Sequence, residues 1–124
     1  MDGESRIIAC GVWQSGAMLD AFDRYGSYCC LDVMMRVLNT SGLPYLAIVV
    51  FDETGSMLTA IEGLVFLESK VGYRFALKEM LDMAGSRTKE DVLVVSGDLF
   101  FNQNMITQDF GLVNAKFIPD QWHL

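Results

Sequence analysis

Four residues of this chain have the types and spacing to do chemistry together: Asp32, Asp98, Asp120 and His123. Asp32 interrupts an otherwise apolar run, Tyr28-Cys-Cys-Leu-Asp-Val-Met-Met35. A carboxylate there is costly to bury unless a partner or a metal ion uses it. Asp98 follows Val92-Leu-Val-Val-Ser-Gly97. An acid at the carboxyl end of a buried strand stands where α/β sheets present ligands. Plainer roles also fit: Asp32 can face water near a strand end, and Asp98 can cap a helix. Two carboxylates on neighbouring strands suit phosphoryl transfer. There, two divalent ions roughly 4 Å apart activate the attacking oxygen and stabilise the leaving one. Hard oxygen donors favour Mg²⁺ or Mn²⁺. Asp120-Gln-Trp-His-Leu124 sets an acid and an imidazole three residues apart around Trp122. A turn role for Asp120 and a frayed terminal position for His123 are the bland alternatives.

The elements that must hold these residues follow from local pattern. Residues 1–11 read as a flexible lead-in, and 12–124 as one domain. A helix fits 15–25: Ser15 can cap it, Met18, Ala21, Phe22 and Tyr25 recur at helical spacing, and Gly26 can end it. Tyr28–Met35 reads as a strand. Asn39-Thr-Ser-Gly-Leu-Pro44 is turn chemistry. Tyr45–Phe51 is continuously apolar and reads as a central strand covered on both faces. Asp52-Glu-Thr-Gly55 is a hairpin turn, and a third strand runs from Met57 to Leu67 with Gly63 interrupting it. A helix follows from about Ser69, with Leu77, Met80, Leu81 and Ala84 on one face and Gly85 ending it. Asp91–Val95 is the fourth strand, a short helix fills about 100–110, and Ala115–Pro119 is the fifth strand, limited by Pro119 to an edge or an end. The order is a helix, then β-β-β-α-β-α-β. Strands joined by tight turns pair antiparallel, and the later helix-connected strands add in parallel.

Composition bounds the rest. A chain of 124 residues with 52% hydrophobic content can bury a real core. Its apolar runs are too short to span a bilayer, and its start lacks the pattern of a signal peptide. No membrane partner is expected, and a cytosolic or nuclear compartment is. Cys29 and Cys30 are adjacent and Cys10 stands apart, so no zinc-type pair exists and buried thiols are the expectation. The net charge is −7 with nine scattered Lys and Arg, which argues against the chain gripping a phosphate backbone by itself. The eight methionines, Met34, Met35, Met80 and Met83 among them, read as packing residues. Glu62 breaks an apolar strand and could be a metal ligand, with solvent exposure the plainer reading, and Glu68 reads as a helix-start charge.

Taken collinearly, several segments resemble the catalytic domain of Mutator-like (MULE) transposases, over about residues 12–124. The segments are Val12-Trp-Gln, Phe22-Asp-Arg-Tyr-Gly26, Leu31-Asp32, Gly42-Leu-Pro-Tyr-Leu46, Phe66-Leu-Glu68, Val94-Val-Ser-Gly-Asp98 and Asn114-Ala-Lys-Phe-Ile-Pro-Asp120-Gln-Trp-His123-Leu. Met34 stands where such families usually carry Thr. The resemblance implies an α/β fold with a ribonuclease H-like mixed sheet. It makes Asp32 and Asp98 the first two acids of an Asp-Asp-Glu site for metal-dependent DNA strand cleavage and transfer. Asp120 and His123 become the Cys/Asp-x-x-His pair, and Mg²⁺ or Mn²⁺ the cofactor. The third acid would lie on a final helix beyond Leu124, so the expectation is a partial domain, inactive alone, with weak or no DNA binding of its own. Its uncovered sheet surface would favour self-association. The alternative is a non-catalytic interaction module of the same fold. The implied compartment is nuclear in a eukaryote and cytoplasmic otherwise.

Overall fold

Local turn chemistry sets the first half of the architecture. In the computed structural model, which describes residues 10–34, 45–65, 70–83, 89–97 and 101–119, strand β3 (Tyr45–Phe51) returns into β4 (Met57–Val65) through Asp52–Ser56. The Asp52 carboxylate accepts from the Thr54 and Ser56 amides at 2.8 and 2.9 Å, and Gly55 adopts φ +83°. That left-handed backbone is what glycine permits without a Cβ clash. Upstream, α1 (Gly16–Tyr25) begins where Ser15 Oγ accepts from the Met18 amide, and it ends where the Gly26 amide donates to the Phe22 carbonyl. The Asn39–Pro44 turn, Glu68 and Gly85 lie outside the described residues.

The protein is a mixed α/β fold built on a six-stranded mixed sheet. Its strands are β1 (Cys10–Trp13), β2 (Tyr28–Met34), β3, β4, β5 (Val94–Gly97) and β6 (Lys116–Pro119), in the spatial order β1-β4-β3-β2-β5-β6. β1, β4, β3 and β2 pair antiparallel in succession, while β5 and β6 add in parallel. A second helix, α2 (Lys70–Met83), separates β4 from β5, and a π-helical turn at Met105–Asp109 separates β5 from β6. Asn102 Oδ1 accepts from the Met105 amide, and the Phe110 amide reaches five residues back to the Met105 carbonyl.

Two features differ from the sequence reading. β1 was not expected: its four residues carry too short a pattern to register, and the strand exists through its pairing with Glu62–Val65. The fourth strand starts later, at Val94, because the Leu93 and Val94 amides both donate to the Ser27 carbonyl and seat the ladder at Tyr28 opposite Val94. Lys89–Asp91 forms a 3-10 turn instead.

Burial on the two faces of the sheet follows from register. Residues directly opposite in register share a sheet face. Leu31, Leu46, Ile48, Ile61 and Val95 fall on one face, and all join a single core with Phe22 of α1, Leu77 and Met80 of α2, and Phe101, Ile106 and Phe110. Full burial of each large side chain of this kind stabilises by about 1.5–3 kcal/mol. Gly63 lies on that face, where a Cβ would meet the Gly11 carbonyl at 3.1 Å and Met80 Sδ at 3.3 Å. The apparent interruption of the strand is therefore the close contact that seats α2. Ala47 and Val49 face the other way, outside this cluster, and are buried as well. β3 is therefore central and buried on both faces from Leu46 to Val50, as its continuous apolar run predicts. On the opposite face Trp13 (41%), Tyr28 (43%) and Phe51 (40%) stand exposed.

Candidate functional site

Asp32 sits within β2, the strand that joins the antiparallel and parallel halves of the sheet. Its register partner is Ala47, whose partner is Glu62, whose partner is Trp13. These four residues form one row across four strands on the open face. The Cα atoms of Asp32 and Glu62 are then about 10 Å apart, two strand spacings. Ala47 contributes only a methyl between them, which leaves the Asp32 carboxylate half-exposed. Among the described residues no hydrogen bond or ion pair engages that carboxylate.

Glu62 is anchored where the sequence reading placed it in solvent. The Trp13 indole N–H donates to Oε2 at 2.5 Å, and the Tyr45 hydroxyl donates to Oε1 at 2.7 Å. Tyr45 lies two residues before Ala47 and so reaches Glu62 diagonally on the same face. Burial pushes the Tyr45 phenol well above its ordinary value. Its bond to Glu62 and the negative charges of Glu62 and Asp32 push it further in the same direction. Tyr45 is therefore a neutral donor at all ordinary pH. Its phenol feels both carboxylates, which ties Asp32 and Glu62 into one electrostatic neighbourhood. Trp13 and Glu62 are 49 residues apart in sequence. The only local sign of this pairing was an acid inside an apolar strand.

The partner expected for Asp32 is Asp98. The parallel ladder of β2 and β5 runs from Tyr28 opposite Val94 to Leu31 opposite Gly97, one residue short of each acid. Asp98 itself lies outside the described residues, as do Asp120 and His123. Among the described residues no group of three or more His, Cys, Asp or Glu side chains is arranged to hold a metal ion. The donor chemistry of Asp32 alone, a hard carboxylate half-open to water and without a competing partner among the described residues, fits a divalent cation as one ligand.

Elsewhere several charged groups hold structural contacts. Asp82 accepts from Lys89 and Lys78, which lowers its carboxyl below the ordinary range. Arg74 pairs with Asp109 and so joins α2 to the π-helical turn. A groove of about 500 Å³ runs between α1 and β4, past Arg24, Tyr25, Asp52 and Thr59. Among the described residues no helix is long and apolar enough to cross a membrane. No protein-family model matches the chain, and no curated protein or solved structure is significantly similar to it.

Proposed function

We propose that this chain carries a ribonuclease H-like core of the Mutator-like transposase type, in which Asp32 and Asp98 are paired metal-ligating acids for DNA strand cleavage and transfer. One observation supports this reading above the others. With edge strand β1 set aside, the sheet runs β4-β3-β2-β5-β6, with β3 antiparallel and β5 and β6 parallel to β2. That is the strand order expected of a ribonuclease H-like sheet. It sets the strand bearing Asp32 beside the strand that runs into Asp98.

In this reading, the parallel register, continued by one step beyond Leu31 and Gly97, would make Asp32 and Asp98 lateral neighbours. Two carboxylates at one strand spacing, about 4.8 Å, suit shared cation binding. Mg²⁺ or Mn²⁺, when bound, would supply Lewis-acid polarisation of a phosphate and acidification of water. Asp32 would contribute an oxygen from an interior strand paired on both sides. Glu62, held by Trp13 and Tyr45, would keep negative potential beside it. DNA is the substrate in a complete enzyme. With a net charge of −7, most phosphate contacts would come from other surfaces.

The test is Mn²⁺ titration followed by NMR line broadening. The expected result is broadening confined to Leu31–Val33 and Ser96–Gly97 and their neighbours, abolished in Asp32→Asn and in Asp98→Asn. Uniform broadening, or broadening that survives both substitutions, would sink the proposal.

A second reading is favoured by the exposed Trp13, Tyr28 and Phe51 on the face that carries Asp32. It is a non-catalytic interaction module that uses the open sheet face. It predicts that Asp32→Asn leaves every activity unchanged and raises thermal stability by relieving carboxylate repulsion.

A further inference from the structure

The outer edge of β6 closes the parallel end of the sheet, and among the described residues no strand pairs with it. An exposed edge is a template for pairing with another chain. In a parallel ladder alternate residues turn their amides inward. The Lys116 amide donates to the Leu93 carbonyl of the β5 side at 3.0 Å, so the Phe117 amide points outward. That outward amide donates to Gln103 Oε1 at 2.8 Å. The Gln103 amide nitrogen in turn donates to the Ala115 carbonyl at 2.8 Å. One side-chain carboxamide thus accepts from residue 117 and donates to residue 115, the two bonds that a backbone peptide of a neighbouring strand would make.

Gln103 is held for this role. Its own carbonyl accepts from Thr107 Oγ1 at 3.0 Å, and its neighbour Asn102 caps the start of the π-helical turn. Two further residues discourage pairing at the same edge. Pro119 has no amide to offer. Lys116 is exposed, and a charge on an edge strand disfavours approach by a like strand.

We propose that the Gln103 carboxamide closes the outer edge of β6 to strand addition, and that without it a second copy of this chain pairs there. The geometry selects a second copy because the freed groups are self-complementary. In an antiparallel two-fold pairing centred on Lys116, each Phe117 amide meets the Ala115 carbonyl of the other copy. The two Lys116 side chains then face one another, and like charges directly opposite are destabilising. Removing both Gln103 and that repulsion therefore gives the largest effect.

The experiment compares wild type, Lys116→Thr, Gln103→Ala and the double variant by sedimentation equilibrium over a concentration series. Self-association of the double variant is expected to be about tenfold tighter than that of Lys116→Thr alone, a difference of about 1.4 kcal/mol. Pro119→Ala, added to the double variant, is expected to tighten it further. Equal association of Lys116→Thr and the double variant overturns the proposal. Hydrogen exchange on the wild-type chain gives a readout that needs no variant to fold. The Phe117 amide is expected to exchange as slowly as the ladder amide of Lys116, and exchange at the rate of an unstructured peptide overturns the proposal.

Discussion

Replacing Tyr45 by Phe deletes one hydroxyl and nothing else, so it isolates the bond that holds Glu62 on the open face. A hydrogen bond to an ionised group contributes about 1.5–3 kcal/mol when well shielded. Tyr45 and Glu62 are both only partly buried, so water competes and about 1 kcal/mol is the fair magnitude. Glu62→Leu removes the same bond from the other side and also frees the Trp13 indole N–H. Trp13 is 41% exposed, so its donor returns to water at little cost. Urea unfolding of wild type, Tyr45→Phe, Glu62→Leu and the double variant forms a cycle with an expected coupling energy of about 1 kcal/mol. In a domain of this size each single variant melts about 4 °C lower. Additivity within about 0.3–0.5 kcal/mol would show that the two side chains do not interact in solution. The Trp13–Glu62–Tyr45 anchor, and the electrostatic link it makes to Asp32, would then be withdrawn.

Two other expectations rest on different parts of the fold. Gly97→Ala places a Cβ 3.0 Å from Phe101 Cδ2 and 3.3 Å from the Leu31 carbonyl, on the covered face of β5. It should destabilise by about 1–3 kcal/mol, and a urea midpoint equal to wild type would contradict the packing of Phe101 against that strand. At the hairpin, the Thr54 hydroxyl and then the Ser56 amide hold the Asp52 carboxyl below its ordinary 3.8. A depressed carboxyl contributes stability that is present above pH 3.8 and is lost as pH falls through the lower folded value. The carboxyl carbon shift of Asp52 should therefore titrate with a midpoint under 3.8. A midpoint at or above that value would remove the turn clamp.

The order of elements is written locally, residue by residue. Ser15 and Gly26 bound α1 because capping and chain reversal involve neighbours three or four positions away. Asp52 and Gly55 specify the hairpin for the same reason, and the hairpin fixes β3 against β4. The apolar run Tyr45–Phe51 could only be a buried strand, and Asp32 within β2 was legible as an acid in a costly place. None of these readings needed a contact across the chain.

What the sequence could not supply is everything carried by pairing between distant segments. Periodicity is too weak over four residues to reveal β1, which acquires its structure from Glu62–Val65. Glu62 looked like a surface acid because Trp13, which anchors it, lies 49 residues away. The β5 boundary depended on a single carbonyl, that of Ser27, accepting two amides from the far end of the chain. Gln103 is an ordinary polar residue until β6 arrives beside it. Local propensity acts within a few residues, whereas register, face and edge are set only when strands meet. The sequence by itself therefore determined which segments are strands and helices and where the suspect acids lie. The tertiary structure alone decided which residues stand beside Asp32, which face of the sheet carries the exposed aromatics, and how its last edge is closed.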